Sequence, residues 1–192
     1  VGPTFQAGGA ITNLVLTNMA LAGPNRVQGV LDWESGTIEG SLTVQSGGLL
    51  TIGGPGLMDC YGMVTNAGTI EWSGSSTFRL LNGVALYNLP GALLDMSGDG
   101  VLGGNYAPQY TFIQNQGTLR KSGGSGTSGI GVFVDNQGVV QVDTGTLDLS
   151  GGAKLGGRWD GAIATAIKFD AGGFETVGMP LLTGPGLKQM VN

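Results

Sequence analysis

Residues 115–124 read "NQGTLRKSGG" and residues 136–145 read "NQGVVQVDTG", while a looser copy, "NAGTIEWSG", occupies 66–74. A fourth member, "NLPGALLDMSG" from Asn88, joins the series once one extra residue is admitted between its asparagine and glycine. The asparagines at 66, 88, 115 and 136 are then separated by steps of 22, 27 and 21 residues. A repeat in the low twenties is the mark of a solenoid, in which one coil cannot bury its apolar side alone and needs neighbours above and below. "SGGLLTIGG" from Ser46 and the degraded "DAGGFETVG" from Asp170 extend the series over most of the chain.

Inside a coil the alternation is that of short strands. In "VVQVDTGTLDLSGG" (139–152), Val140 and Val142 share one side and Leu147 and Leu149 another, while Gln141, Asp143, Thr146 and Asp148 point the opposite way. Thr144 and Gly145 interrupt the run and turn the chain. The same form recurs at 30–44 and 41–54, and the one helix-like patch is "GAIATAIKF" (161–169). A β-sandwich would need hairpins, and turn pairs such as Asn82 with Gly83 are few. The expected fold is therefore all-β, a right-handed parallel β-helix (β-solenoid) with coils of about 20–25 residues, forming a single module over 1–192. In such a stack equivalent asparagines lie about 4.8 Å apart and hydrogen-bond from coil to coil. The glycine two residues later would supply positive φ or close backbone approach.

Composition agrees. Thirty-nine glycines with only 11% charged residues do not describe an ordinary α/β enzyme, yet 41% hydrophobic residues and a mean hydropathy of +0.19 leave enough apolar surface to order the chain. The net charge of −5 and the absence of any basic run argue against nucleic acid and anionic membranes as partners. No window is long and apolar enough for a membrane span, so no membrane insertion is expected. Cys60 has no second cysteine to pair with and reads as a small buried hydrophobe.

The "NxGTLRKSGG…NxGxVxVxxGTLxLSGG" block, with "NAGTIEWSG" before it, resembles the repeats of β-solenoid regions in secreted and surface proteins of bacteria. The resemblance runs from about Phe5 to Gly186. It implies a right-handed parallel β-helix and an extracellular or cell-surface location, and it transfers no catalytic residue, because the shared motif is architectural. Parallel β-helices also occur as pectate-lyase-like enzymes and as carbohydrate-binding modules of plant-polysaccharide hydrolases, an analogy at the level of fold.

Few side chains suit catalysis. The chain has no histidine, which removes Ser-His-Asp and Cys-His constellations and the usual zinc sites. Asp32 with Glu34, or Glu39 with Glu71, would be the carboxylate pairs of a glycosidase, but they read equally as solvated outward residues. Lys154 and Arg158 would be the base and clamp of a lyase, without any lyase motif around them. "DMSGDG" (95–100) spaces Asp95, Ser97 and Asp99 like the start of a calcium loop, but the twelfth position is Tyr106, which cannot act as the bidentate acid. The glycine-rich 123–131 lacks the lysine of a phosphate loop. No catalytic residue, metal or cofactor is expected.

The aromatic residues point to sugar. Trp33, Trp72, Trp159, Tyr106 and Tyr110 are the candidate platforms for the apolar faces of sugar rings. Trp33 shares a side with Leu31 and Trp72 with Ile70, which reads as inward; yet the position of Trp72 is Lys121 in one later coil and Val142 in another, which would place it near a corner, half exposed. Trp159 in "RWDG" and the tyrosines of "NYAPQYTF" sit where the coil pattern breaks, and loops on a rigid scaffold commonly carry binding residues. The expected function is a non-catalytic carbohydrate-binding module for a polysaccharide such as plant cell-wall xylan, acting as an accessory domain of a larger protein. The alternative is a structural or adhesive solenoid segment, with a polysaccharide lyase or hydrolase third. Both ends read as interior coils rather than polar caps, so covalently linked neighbouring domains are expected.

Overall fold

The computed structural model describes residues 4–6, 9–54, 56–104 and 111–191. The alternation read from the sequence becomes short strands of three or four residues in nearly every coil, and every pairing is parallel. Each coil contributes one strand to each of three faces. Phe112–Asn115, Thr118–Lys121 and Thr127–Ile130 are the strands of one coil; Phe133–Asn136, Val139–Val142 and Thr146–Leu149 are those of the next. About eight such turns stack into a parallel β-solenoid, and no helix occurs among the described residues.

The third face is a sheet of ten strands running from Thr4–Gln6 to Leu187–Met190. The first and second faces are joined near the start of the chain by one longer strand, Asn25–Trp33. Its first half pairs with Leu42–Val44 and its second with Leu49–Ile52, so it runs through the corner that later coils make with a tight bend. The helix-like patch at 161–169 is a correction: Arg158–Gly161 and Ala166–Phe169 are strands on different faces, and Ala164 turns between them at φ 62°. The pairing of Ala166–Phe169 with Thr146–Leu149 outweighs local helix preference and puts Ile167 and Phe169 inward.

The core is a set of columns parallel to the axis. On the second face Leu50, Ile70, Leu94, Leu119, Val140 and Trp159 follow one another in register, and all are at most 1% exposed. On the first face one inward column runs Val44, Asn66, Asn88, Asn115, Asn136, Leu155. The Nδ2 of Asn66 donates to Oδ1 of Asn88 at 2.9 Å, Asn88 to Asn115 at 2.7 Å, and Asn115 to Asn136 at 2.7 Å. The second proton of each Nδ2 goes to a main-chain carbonyl of the following coil, at Leu93, Thr118 and Val139. A buried amide is thus satisfied along the stack, which is what makes a polar column tolerable inside an apolar one.

The glycine two residues after Asn66, Asn115 and Asn136 serves close approach rather than positive φ, whereas Gly91, after the extra residue that follows Asn88, takes φ 81° with open space beside it. A Cβ on Gly117 would lie 2.4 Å from the carbonyl oxygen of Ala92, and one on Gly138 would lie 2.2 Å from that of Gly117. The corner between the third and first faces is as tight, with a Cβ on Gly62 reaching 1.8 Å from the oxygen of Gly40.

Candidate functional site

The three tryptophans form no external platform. Trp33, Trp72 and Trp159 are 0%, 1% and 0% exposed, so none offers a ring face to a ligand. Trp33 and Trp72 both meet the ring of Phe78 edge-on, at 5.7 and 6.2 Å between centroids, and Trp159 meets Phe169 at 5.4 Å. Trp72 Nε1 donates to Ser76 Oγ at 3.1 Å and Trp159 Nε1 to the Gly156 carbonyl at 3.0 Å. Indoles of this kind supply core area, each contributing about 3 kcal/mol or more by burial. Tyr106 and Tyr110 lie outside the described residues.

The lysine that made Trp72 look like a corner residue has its own explanation. Lys121 occupies the same inward column, between Met96 and Val142, and its side chain is 0% exposed. Its stem packs like a methionine. Its ammonium reaches the bend, where Nζ donates to Asp99 Oδ1 at 2.7 Å, the Gly123 carbonyl at 2.9 Å, Ser128 Oγ at 3.0 Å and the Gly98 carbonyl at 3.2 Å. The hydrogen bond from Lys121 holds the Asp99 carboxyl below its usual range. The calcium-like loop is spoken for in the same way: Asp95 accepts two hydrogen bonds from Arg120, at 3.2 and 2.6 Å, and Asp99 belongs to Lys121. No cluster of three or more metal-binding side chains occurs among the described residues.

The acid pairs divide. Glu39 stands at the corner between the third and first faces, whereas Glu71 lies on the second face, where it accepts from Ser97 Oγ. Asp32 and Glu34 do share one groove of about 630 Å³, but Thr51 Oγ1 donates to Asp32 at 2.7 Å and Thr17 Oγ1 to Glu34 at 2.8 Å. Lys154 and Arg158 fall on adjacent faces, and Arg158 pairs with Asp160 at 2.6 Å. Burial pushes the Cys60 thiol up to about 12, so the thiolate is suppressed.

An aromatic strip lies elsewhere, on the outside of the first face. With the asparagine column inward, the residues one and three positions before each asparagine point outward, and the aromatic ones among them are Tyr87, Phe112 and Phe133. Phe112 and Phe133 are direct neighbours in register, and Tyr87 meets Phe112 edge-on at 5.9 Å between centroids. All three are half-buried on a rigid sheet. Ala85 is the partner of Phe112 in the coil before, and Met63, exposed, precedes it in the same line. Thr65, Gln114 and Asp135 supply polar groups beside the rings. The signal was present in "ALYN", "FIQN" and "FVDN", but it shows only after the inward side of the asparagine is fixed.

A second feature adjoins the strip. A groove of about 840 Å³ crosses the third face near its first coils, with Ala20, Gly36 and Thr37 as its floor and Glu39, Tyr61, Asn18 and Asn82 around it. Asn18 is held at φ 54° by a hydrogen bond from the Ser35 hydroxyl to its Oδ1. Nearby, Arg79 donates twice to Asp59 at 2.7 Å, which lifts the guanidinium above its ordinary pKa.

The fold defines a parallel β-solenoid with side chains arrayed in columns on three flat faces, a class in which a surface is built by repetition rather than by a central cleft. No family model, curated protein or solved structure matches the chain.

Proposed function

We propose that this protein is a non-catalytic, extracellular carbohydrate-binding module that recognises a polysaccharide as an accessory domain of a larger protein. Plant cell-wall xylan is the first glycan to test. The observation that carries the reading is the outward set Tyr87, Phe112 and Phe133 on one rigid face. Successive coils are about 4.8 Å apart, so rings on neighbouring coils follow a glycan chain laid along the axis. Aromatic faces take the C–H faces of sugars while threonine, glutamine and aspartate beside them take hydroxyls. The net charge of −5 favours neutral over acidic polymers.

Affinity electrophoresis through soluble glycans tests this. Retardation by at least one glycan is expected, reduced in Tyr87→Ala, Phe112→Ala and Phe133→Ala variants whose circular dichroism is unchanged. A wild-type protein that no glycan retards overturns it. The second reading, a structural or adhesive segment, draws support from ion pairs that tie coil to coil on the outside, Asp59 to Arg79 and Asp95 to Arg120. A lyase or hydrolase has less support, since Asp32 and Glu34 are each engaged by a threonine.

A further inference from the structure

We infer that the groove over Ala20, Gly36 and Thr37 is a subsite for one uncharged pyranose residue of the polysaccharide, with Tyr61 as its stacking ring and Glu39 as its hydroxyl acceptor. The inference rests on the reading of the strip as a glycan-binding surface. The floor is made of small side chains: Ala20 is in register with Thr37, and Met19 with Gly36, whose backbone at φ 98° suits glycine alone. Its volume of about 840 Å³ is large enough to take a sugar ring. Tyr61, 38% exposed, stands at the rim with part of its ring uncovered.

Glu39 decides the class of sugar. It is exposed, and no hydrogen bond or ion pair holds its carboxylate among the described residues, in contrast to Asp59, which Arg79 neutralises. A free carboxylate accepts hydrogen bonds from two sugar hydroxyls, and it repels a uronate or a sulfate ester. Asn18, whose Oδ1 accepts from the Ser35 hydroxyl, lines the same space. The groove ends at the corner that leads from the third face to the face of the strip. Two residues after Tyr61 the chain reaches Met63, which heads the outward column continuing through Ala85 to Phe112 and Phe133. Two coil steps separate the corner of Tyr61 and Met63 from Phe112, about 10 Å along the axis, a span of about two sugar units.

Titration calorimetry on the full chain separates the two claims, using xylo-oligosaccharides and unsubstituted xylan against oligogalacturonates. Tyr61→Ala is expected to weaken neutral-glycan binding by about threefold to tenfold, as Tyr87→Ala does. Glu39→Gln is expected to narrow the preference for neutral over acidic oligosaccharides while leaving the thermal midpoint unchanged. If Tyr87→Ala weakens binding but Tyr61→Ala and Glu39→Gln change neither affinity nor preference, the subsite is wrong and the strip stands. If the wild-type protein binds none of these oligosaccharides and no soluble glycan retards it in electrophoresis, both fall.

Discussion

Asn88 Nδ2 donates to Asn115 Oδ1 at 2.7 Å, and the two residues sit directly opposite each other on parallel strands of successive coils. Asn115 passes the pattern on to Asn136 and also donates to the Val139 carbonyl at 2.9 Å. Removing its side chain therefore leaves Asn136 Oδ1 without its donor and Val139 without one acceptor contact filled, inside the core. Asn115→Ala is expected to lower stability by about 2–4 kcal/mol. The exposed neighbour Gln116→Ala is expected to change it by about 0.5 kcal/mol or less. Urea midpoints of the two variants check this, and equal midpoints would mean that the column is ornament.

Lys121 gives a prediction of opposite character. A buried cation is costly to desolvate, and a hydrophobe of the same shape removes that cost. Lys121→Met, with Met96 and Val142 as its column neighbours, is expected to stay within about 1 kcal/mol of wild type. Lys121→Ala opens a cavity and costs about 2–4 kcal/mol. Asp99→Asn leaves the ammonium buried among neutral acceptors and costs about 1–2 kcal/mol, because Asp99 itself is a third exposed. Asp99 is held below its ordinary value of 3.8, so its contribution is present above that pH and is lost as pH falls through the folded value. The difference between wild type and Asp99→Asn should accordingly shrink below pH 3.8 and be constant above it, as read from denaturation midpoints.

Asp148 has the reverse sign. Burial first, and Asp170 second, raise its carboxyl above 3.8, and its Oδ1 has no hydrogen-bond partner. The folded state then holds the proton more tightly than the unfolded chain, so stability falls as pH rises from 3.8 through the raised value. Asp148→Asn is expected to stabilise the protein at pH 7 by about 0.5–1 kcal/mol and to have no effect once both states are protonated. Thermal midpoints from pH 3 to 7 decide it; a variant less stable than wild type at neutral pH would contradict the sign.

The scaffold was readable because its determinants are local and periodic. The asparagines at 66, 88, 115 and 136 recur at coil spacing, and Leu119 inward with Arg120 outward follows from alternation alone. The site was less readable, for two physical reasons. Lys121 suggested that its column was partly solvated, whereas a lysine stem packs in a core when carbonyls at a bend receive its ammonium. The outward aromatics were hidden because a ring in a strand reads as core until the facing of its neighbours is known; Tyr87 and Phe112 look no different in sequence from Phe78, which is 1% exposed.

The fluorescence of the protein separates the aromatic populations directly. All three tryptophans are at most 1% exposed, while Tyr61, Tyr87, Phe112 and Phe133 carry the external surface. Native emission should be blue-shifted and almost insensitive to iodide, a quencher that needs contact with the ring. Glycan binding at the strip should leave that emission unchanged, because no indole lies at the surface to sense it. Trp72→Ala should cost about 3–5 kcal/mol by emptying the space beside Phe78, yet bind glycan with wild-type affinity under conditions where it is folded. Strong iodide quenching of the native protein, or a tryptophan shift on glycan addition, would return the tryptophans to the surface and overturn the assignment of the strip.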